Sequence, residues 1–287
     1  MRREPANRAD MRLPVRQYRC YPRPGAEYDE SAFGHEHRVL DLDPAAIALI
    51  TVDLWNMGWG VEPLVPELGF HAEHNFVGLG KRACAEARRI TEEHIAPVLA
   101  AAREAGLTII HSNSPRVVAK HPECAYTVPE PSPSGPPEDA WPPWEIHERA
   151  REEYVATTYG PGAEAVWERM RAVADFPPPV TPVAGDLCVY QQAAVDAILR
   201  ERHITAVIHV GFLLAHCLLD KPGGVRSLAA IWRAPGYRDI LLRDCTIAQE
   251  SHETIADFGV TKAFIFWLEA TGIPTATAAE FIEAAQA

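Results

Sequence analysis

The stretch "AIALITVD", residues 46–53, decides the fold. It is a short, nearly continuous apolar run that ends in an aspartate, the pattern of a strand buried on both faces of a parallel sheet. Downstream, "KRACAEARRITEEHIAPVLAAAREAG" (81–106) has helix-forming composition. Ile90, Ile95, Val98, Leu99 and Ala102 are spaced for a buried stripe, and Gly106 is placed to end it. Pro97 is expected to kink this helix or to begin a second piece. "LTIIHSN" (107–113) reads as the next strand, which completes a strand, helix, strand unit.

The alternation resumes beyond residue 185. Strands are expected at 186–191, 205–211, 238–244 and near "PTAT" (274–277); helices at 193–203, from about 214, at about 251–271 and at 278–285. About six parallel strands with crossover helices make a three-layer α/β/α sandwich of Rossmann-like form. Residues 1–43 are rich in Pro, Arg and Tyr without a clear period and read as an extended arm over the surface, followed by one domain over 44–287. Residues 114–185 leave the sheet as a lid-like excursion, because "PEPSPSGPPEDAWPPW" (129–144) cannot hold a helix or an internal strand. A helical piece is expected around "WEIHERAREEYV" (144–155).

Composition narrows the partners. The 287 residues carry a formal net charge of −12 with 47% hydrophobic residues. That balance argues against nucleic acid or an anionic membrane, which need a basic footprint, and favours a small-molecule substrate. No run approaches a membrane span, and "MRREPANRADMRLPVRQYRC" (1–20) lacks the apolar core of a secretory signal, so a cytoplasmic location is expected. The six cysteines stand singly, without a C-x-x-C pair, as reduced thiols would.

In such sheets ligands bind beyond the carboxyl ends of the strands. That rule selects Asp53 and "LWNMGWG" (54–60), His111 to Ser114, Gln191 with Gln192, and the turn from Gly211 to Cys217. Cys217 is expected in the first turn of a helix, where free N–H groups favour a thiolate and could hold an oxyanion. Trp55, Asn56, Trp59, His111 and Asn113 sit at strand ends where they could line a substrate pocket. His71 and His74 of "HAEH" could bind a metal, but by ligand count they fall short of a site, so neither metal nor cofactor is expected. "GLGK" (78–81) lacks the full spacing of a phosphate loop and reads as a helix-entry turn.

The order "ALITVDLWN", "AAREAGLTIIHSN", "HITAVIHVGFLLAHCLL" and "GYRDILLRDCTIAQESHETI" resembles the isochorismatase-like cysteine hydrolases, a group that includes nicotinamidases, carbamoylsarcosine amidases, ureidoacrylate hydrolases and biuret hydrolases. The resemblance runs over roughly 44–285, apart from the excursion and a short insertion at "KPGG" (221–224). It implies Asp53 as general base and Cys217 as nucleophile. It also implies a cis peptide at Leu213 and Leu214, with the N–H groups of Leu214 and Cys217 holding the oxyanion. The family's lysine position is taken by Gln191, which cannot supply a charge. Lys120 is the preferred replacement; Lys221, one helical turn beyond Cys217, is expected to point away. The implied activity is hydrolysis of a small non-peptide amide, ureide or imide through a thioester, in a homodimer or homotetramer. The alternatives are a ligand-binding member without turnover, because of Gln191, and an enol-ether hydrolase of the isochorismatase type.

Overall fold

The computed structural model describes residues 10–56, 59, 79–129, 141–160 and 163–287. In chain order, β1 (Met11–Arg19), β2 (Gly34–Leu42) and β3 (Ile47–Val52) are followed by α1 (Lys81–Ile90) and α2 (Ala96–Glu104). Next come β4 (Thr108–Ser112), α3 (Pro115–Val118), α4 (Trp144–Tyr159), α5 (Ala163–Val173), β5 (Leu187–Val189), α6 (Gln192–Glu201) and β6 (Ala206–Gly211). The chain closes with α7 (Cys217–Asp220), α8 (Val225–Leu228), β7 (Arg238–Leu242), α9 (Gly259–Ala270), β8 (Thr275–Ala276) and α10 (Ala278–Gln286).

The strands form one sheet in the order β2-β1-β8-β7-β6-β3-β4-β5, with β8 through β5 all parallel. Six parallel strands thus stand where the apolar runs place them. All six residues of β3 and of β6 are buried, because helices cover both faces. Ile47 and Leu49 pack with residues of α1, α2 and α10, whereas Ala48, Ile50 and Val52 pack with residues of α6, α7, α8 and α9. These two apolar layers make the three-layer sandwich.

The arm expected at the N-terminus is instead a pair of antiparallel strands that extends the sheet to eight. In β1, Met11, Leu13 and Val15 point into the core while their neighbours face out, a period-2 pattern. Glu269 of α9, with a fully buried side chain, fastens the pair. It accepts from Arg16 Nε at 2.7 Å and Thr275 Oγ1 at 2.5 Å, and contacts His35 Nε2 at 2.8 Å.

The 81–106 helix comes in two pieces, with Pro97 in the first turn of the second, α2, as expected, where its missing N–H costs little; a π-helical turn (Thr91–Ile95) joins α1 to α2. Two helices differ from expectation. The helix from about 214 shrinks to the four residues of α7. Residues 251–258 are turns, and α9 starts at Gly259 because the Glu250 carboxylate accepts the Val260 and Thr261 N–H groups. Within the excursion, α4 lies where expected; α5, held by buried Val166 and Met170, was not foreseen.

Candidate active site

The carboxyl ends of β3 and β6 lie side by side, with Val52 paired to Gly211. Their approach demands glycine: residue 211 has φ 119°, and a Cβ there would sit 2.2 Å from the Val52 carbonyl oxygen. Directly beyond β3, Asp53 takes the left-handed conformation at φ 47°, unusual for any residue with a side chain but most tolerable for Asp and Asn. Its N–H is held by the Ser112 carbonyl at 2.9 Å, and the residue is 1% exposed.

Beyond β6 the chain turns through a cis peptide at Phe212–Leu213, one residue earlier than expected. The assignment of N–H groups changes with it. The Leu214 N–H, expected to face an oxyanion, donates to the Ile247 carbonyl at 3.0 Å. The Leu213 N–H instead faces the Cys217 sulfur, and the Cys217 N–H meets no acceptor among the described residues.

Lys221 is the cation that meets Asp53. Its Nζ lies 2.8 Å from Asp53 Oδ1, with the carboxylate 2% and the lysine side chain 31% exposed. A continuous helix would have carried Lys221 away, but Pro222 disfavours helical backbone at the residue before it, and Lys221 is extended at φ −70°, ψ 164°. The "KPGG" turn is then pinned in place: Ser112 Oγ donates to the Pro222 carbonyl at 2.6 Å, and the Gly223 N–H donates to Gln192 Oε1 at 3.0 Å. Lys120 is elsewhere, because its ammonium donates to the carbonyls of Ala172 and Ala174 at 3.3 and 2.6 Å. Gln191 does not reach Asp53 either; its amide is spent on both backbone groups of Val128, each at 3.0 Å.

Electrostatics at the sulfur run against a preformed thiolate. Burial, then the charge and hydrogen bond of Asp53, push the Cys217 thiol up to about 12, with Lys221 and the Leu213 N–H pulling the other way. The four residues of α7 contribute too little dipole to reverse this. The resting arrangement is therefore a neutral thiol facing a carboxylate that an ammonium neutralises, which suits proton transfer during attack.

These groups open into a cavity of about 530 Å³ whose walls include Asp53, Trp55, Cys217 and Lys221. Of the five residues expected to line it, only Trp55 does so. Asn56 is tied to the Asp175 N–H and the Val173 carbonyl, at 3.0 and 3.2 Å. Trp59 lies against the guanidinium of Arg88. Asn113 donates to the Leu54 carbonyl at 2.9 Å and accepts from the Ser114 N–H at 2.8 Å. His111 is fully buried between Thr51 and Asp186, at 2.9 and 3.0 Å, and burial holds its pKa below the ordinary value.

Five lining residues were missed: Pro115, Arg116, Tyr159, Arg171 and Gln249. Arg116 follows the Ser114-capped start of α3, one turn past the end of β4, and extending the strand-end rule by a turn would have reached it. His216 precedes Cys217 and is exposed to the cavity. Tyr159 and Arg171 end α4 and α5, and no local pattern marks them. His71, His74 and Gly78 lie outside the described residues; Gly80 caps α1, so the chain enters a helix there. Among the described residues no group of three His, Cys, Asp or Glu could hold a metal, and no helix is long and apolar enough to cross a membrane.

No protein-family model and no curated protein matches the sequence. Solved structures do. The chain is similar to isochorismatase-family proteins. A cysteine hydrolase from Pseudomonas syringae pv. phaseolicola 1448A is 16% identical, with 85% of this chain and 94% of that one covered at a TM-score of 0.47. An isochorismatase family protein from Desulfovibrio vulgaris subsp. vulgaris str. Hildenborough is 16% identical over 84% and 99% of the two chains, at a TM-score of 0.44. One from Burkholderia thailandensis is 19% identical over 86% and 98%, at 0.42.

Proposed function

We propose that the protein is a cysteine hydrolase of a small non-peptide amide, ureide or imide. One observation carries the reading: the Asp53 carboxylate stands between the Lys221 ammonium and the Cys217 thiol on the wall of one cavity. Asp53 takes the thiol proton as the sulfur attacks the carbonyl carbon, and the N–H groups of Leu213 and Cys217 receive the oxyanion. Collapse breaks the C–N bond, and Asp53 returns the proton to the leaving nitrogen. Asp53 then deprotonates a water that attacks the thioester, releasing the acid and restoring the thiol.

Lys221 acts through Asp53 as a positioning residue. It offsets the carboxylate charge that otherwise opposes development of the thiolate. This cation is also what weighs against a member that only binds ligand, since the charge absent at Gln191 is supplied by another element.

The test is turnover of a panel of small primary amides and ureides by the wild type and by Cys217→Ala. Ammonia release that disappears in the variant is expected. Equal turnover in the variant would contradict the reading, and turnover of a vinyl ether that needs Asp53 but not Cys217 would replace it.

A further inference from the structure

Two guanidinium groups converge on the cavity wall without a catalytic task. Arg116 of α3 and Arg171 in the last turn of α5 both line the cavity that holds Asp53 and Cys217. Between them they hold a single carboxylate: Arg116 Nη1 lies 2.9 Å from Glu168 Oε2, and Arg171 Nη1 lies 2.5 Å from Glu168 Oε1. Each oxygen takes one arginine, so among the described residues further guanidinium N–H groups remain available on both. We propose that Arg116 and Arg171 form the recognition site for a carboxylate carried by the substrate, whose place Glu168 fills in the resting protein.

The charge count favours an anion. Among the described residues, Lys221 is offset by Asp53 and Glu168 offsets one of two arginines, leaving a positive excess at this wall in a chain whose net charge is −12. The Glu168 pairs are also easily exchanged. The three side chains are 42–56% exposed, and ion pairs that water reaches are weak, so an incoming carboxylate can displace the tether. Arginine suits this task, because its planar fork matches the two oxygens of a carboxylate. The carboxylate site deepens the hydrolase reading and takes its scissile bond from it. The substrate class becomes an amide or ureide acid, with the carboxylate remote from the C–N bond that is cut.

Binding to Cys217→Ala protein, which cannot turn over, tests the site by calorimetry. The probes are succinamate, glutaramate and adipamate, each against the neutral amide of equal chain length. At least one monoamide acid is expected to bind roughly ten-fold or more tighter than its neutral partner, with the advantage shrinking at high salt. The double change Arg116→Gln/Arg171→Gln should bring that ratio near one. Glu168→Gln should act in the opposite sense and tighten the acid several-fold, an effect that misfolding cannot imitate. A ratio near one in the starting protein, a ratio that survives the double change, weaker binding in Glu168→Gln, or no binding of any probe would overturn the site. The two readings can fail separately. Cys217-dependent hydrolysis without anion preference removes only the carboxylate site, and anion binding without such hydrolysis removes only the enzyme.

Discussion

Lys221 Nζ lies 2.8 Å from Asp53 Oδ1 across 168 residues of chain, joining the loop after α7 to the end of β3. An ammonium this close offsets the carboxylate charge and so makes room for negative charge on the neighbouring sulfur.

Removing that ammonium tests its role. Lys221→Met should lower kcat/KM by about 10- to 1,000-fold, the range that a close opposite charge commands. The profile of Cys217 alkylation against pH should move further upward, because Lys221 is among the groups holding the thiol down. Lys221→Arg should restore part of both. A purely structural lysine would leave the alkylation profile where it was.

Asp53→Asn should separate reactivity from catalysis. Asp53 raises the Cys217 pKa through its charge and its hydrogen bond, so removing the charge lowers that pKa and enlarges the thiolate fraction at pH 8. Iodoacetamide should therefore modify the variant faster than the wild type. Hydrolysis should fall about 10²- to 10⁴-fold, because the general base is gone. If alkylation slowed as well, the sulfur would not be under the control of Asp53.

Glu269→Ala probes the added strands. The change strips three partners, Arg16, His35 and Thr275, of a buried carboxylate. It should cost about 2–4 kcal/mol in urea unfolding, toward the low side of a broken buried pair because Arg16 and His35 can rehydrate. Hydrogen exchange should speed first in β1 and β2. A loss below about 0.5 kcal/mol, typical of surface changes, would mean that apolar packing alone seats the pair.

The parallel core was legible because burial on both faces leaves unbroken apolar runs such as "AIALITVD". The antiparallel pair was hidden by Pro14 within "MRLPVRQYR", which lowers the reading of a strand. Here β8 meets β1 only at Arg16 and Thr275, so one side of β1 is largely without a strand neighbour, a setting in which proline is tolerated. Lys221 was misread for a related reason. Counting it one turn along a helix ignored Pro222, whose ring turns the preceding residue out of helical backbone. His111 and Asn113 were placed at the correct strand end, yet their side chains serve the network beneath the site; strand position fixes depth but not which partner a polar group finds. Arg171 and Tyr159 come from helices of the excursion, and nothing local to them points toward the sheet.

The most direct measurement is the intact mass of the protein acid-quenched during turnover of its best amide, followed by peptide mapping. The account predicts a mass gain equal to the acyl group, confined to the peptide carrying Cys217 and absent from Cys217→Ala. Sustained turnover by Cys217→Ala, or an acyl group mapped to any other residue, would contradict it.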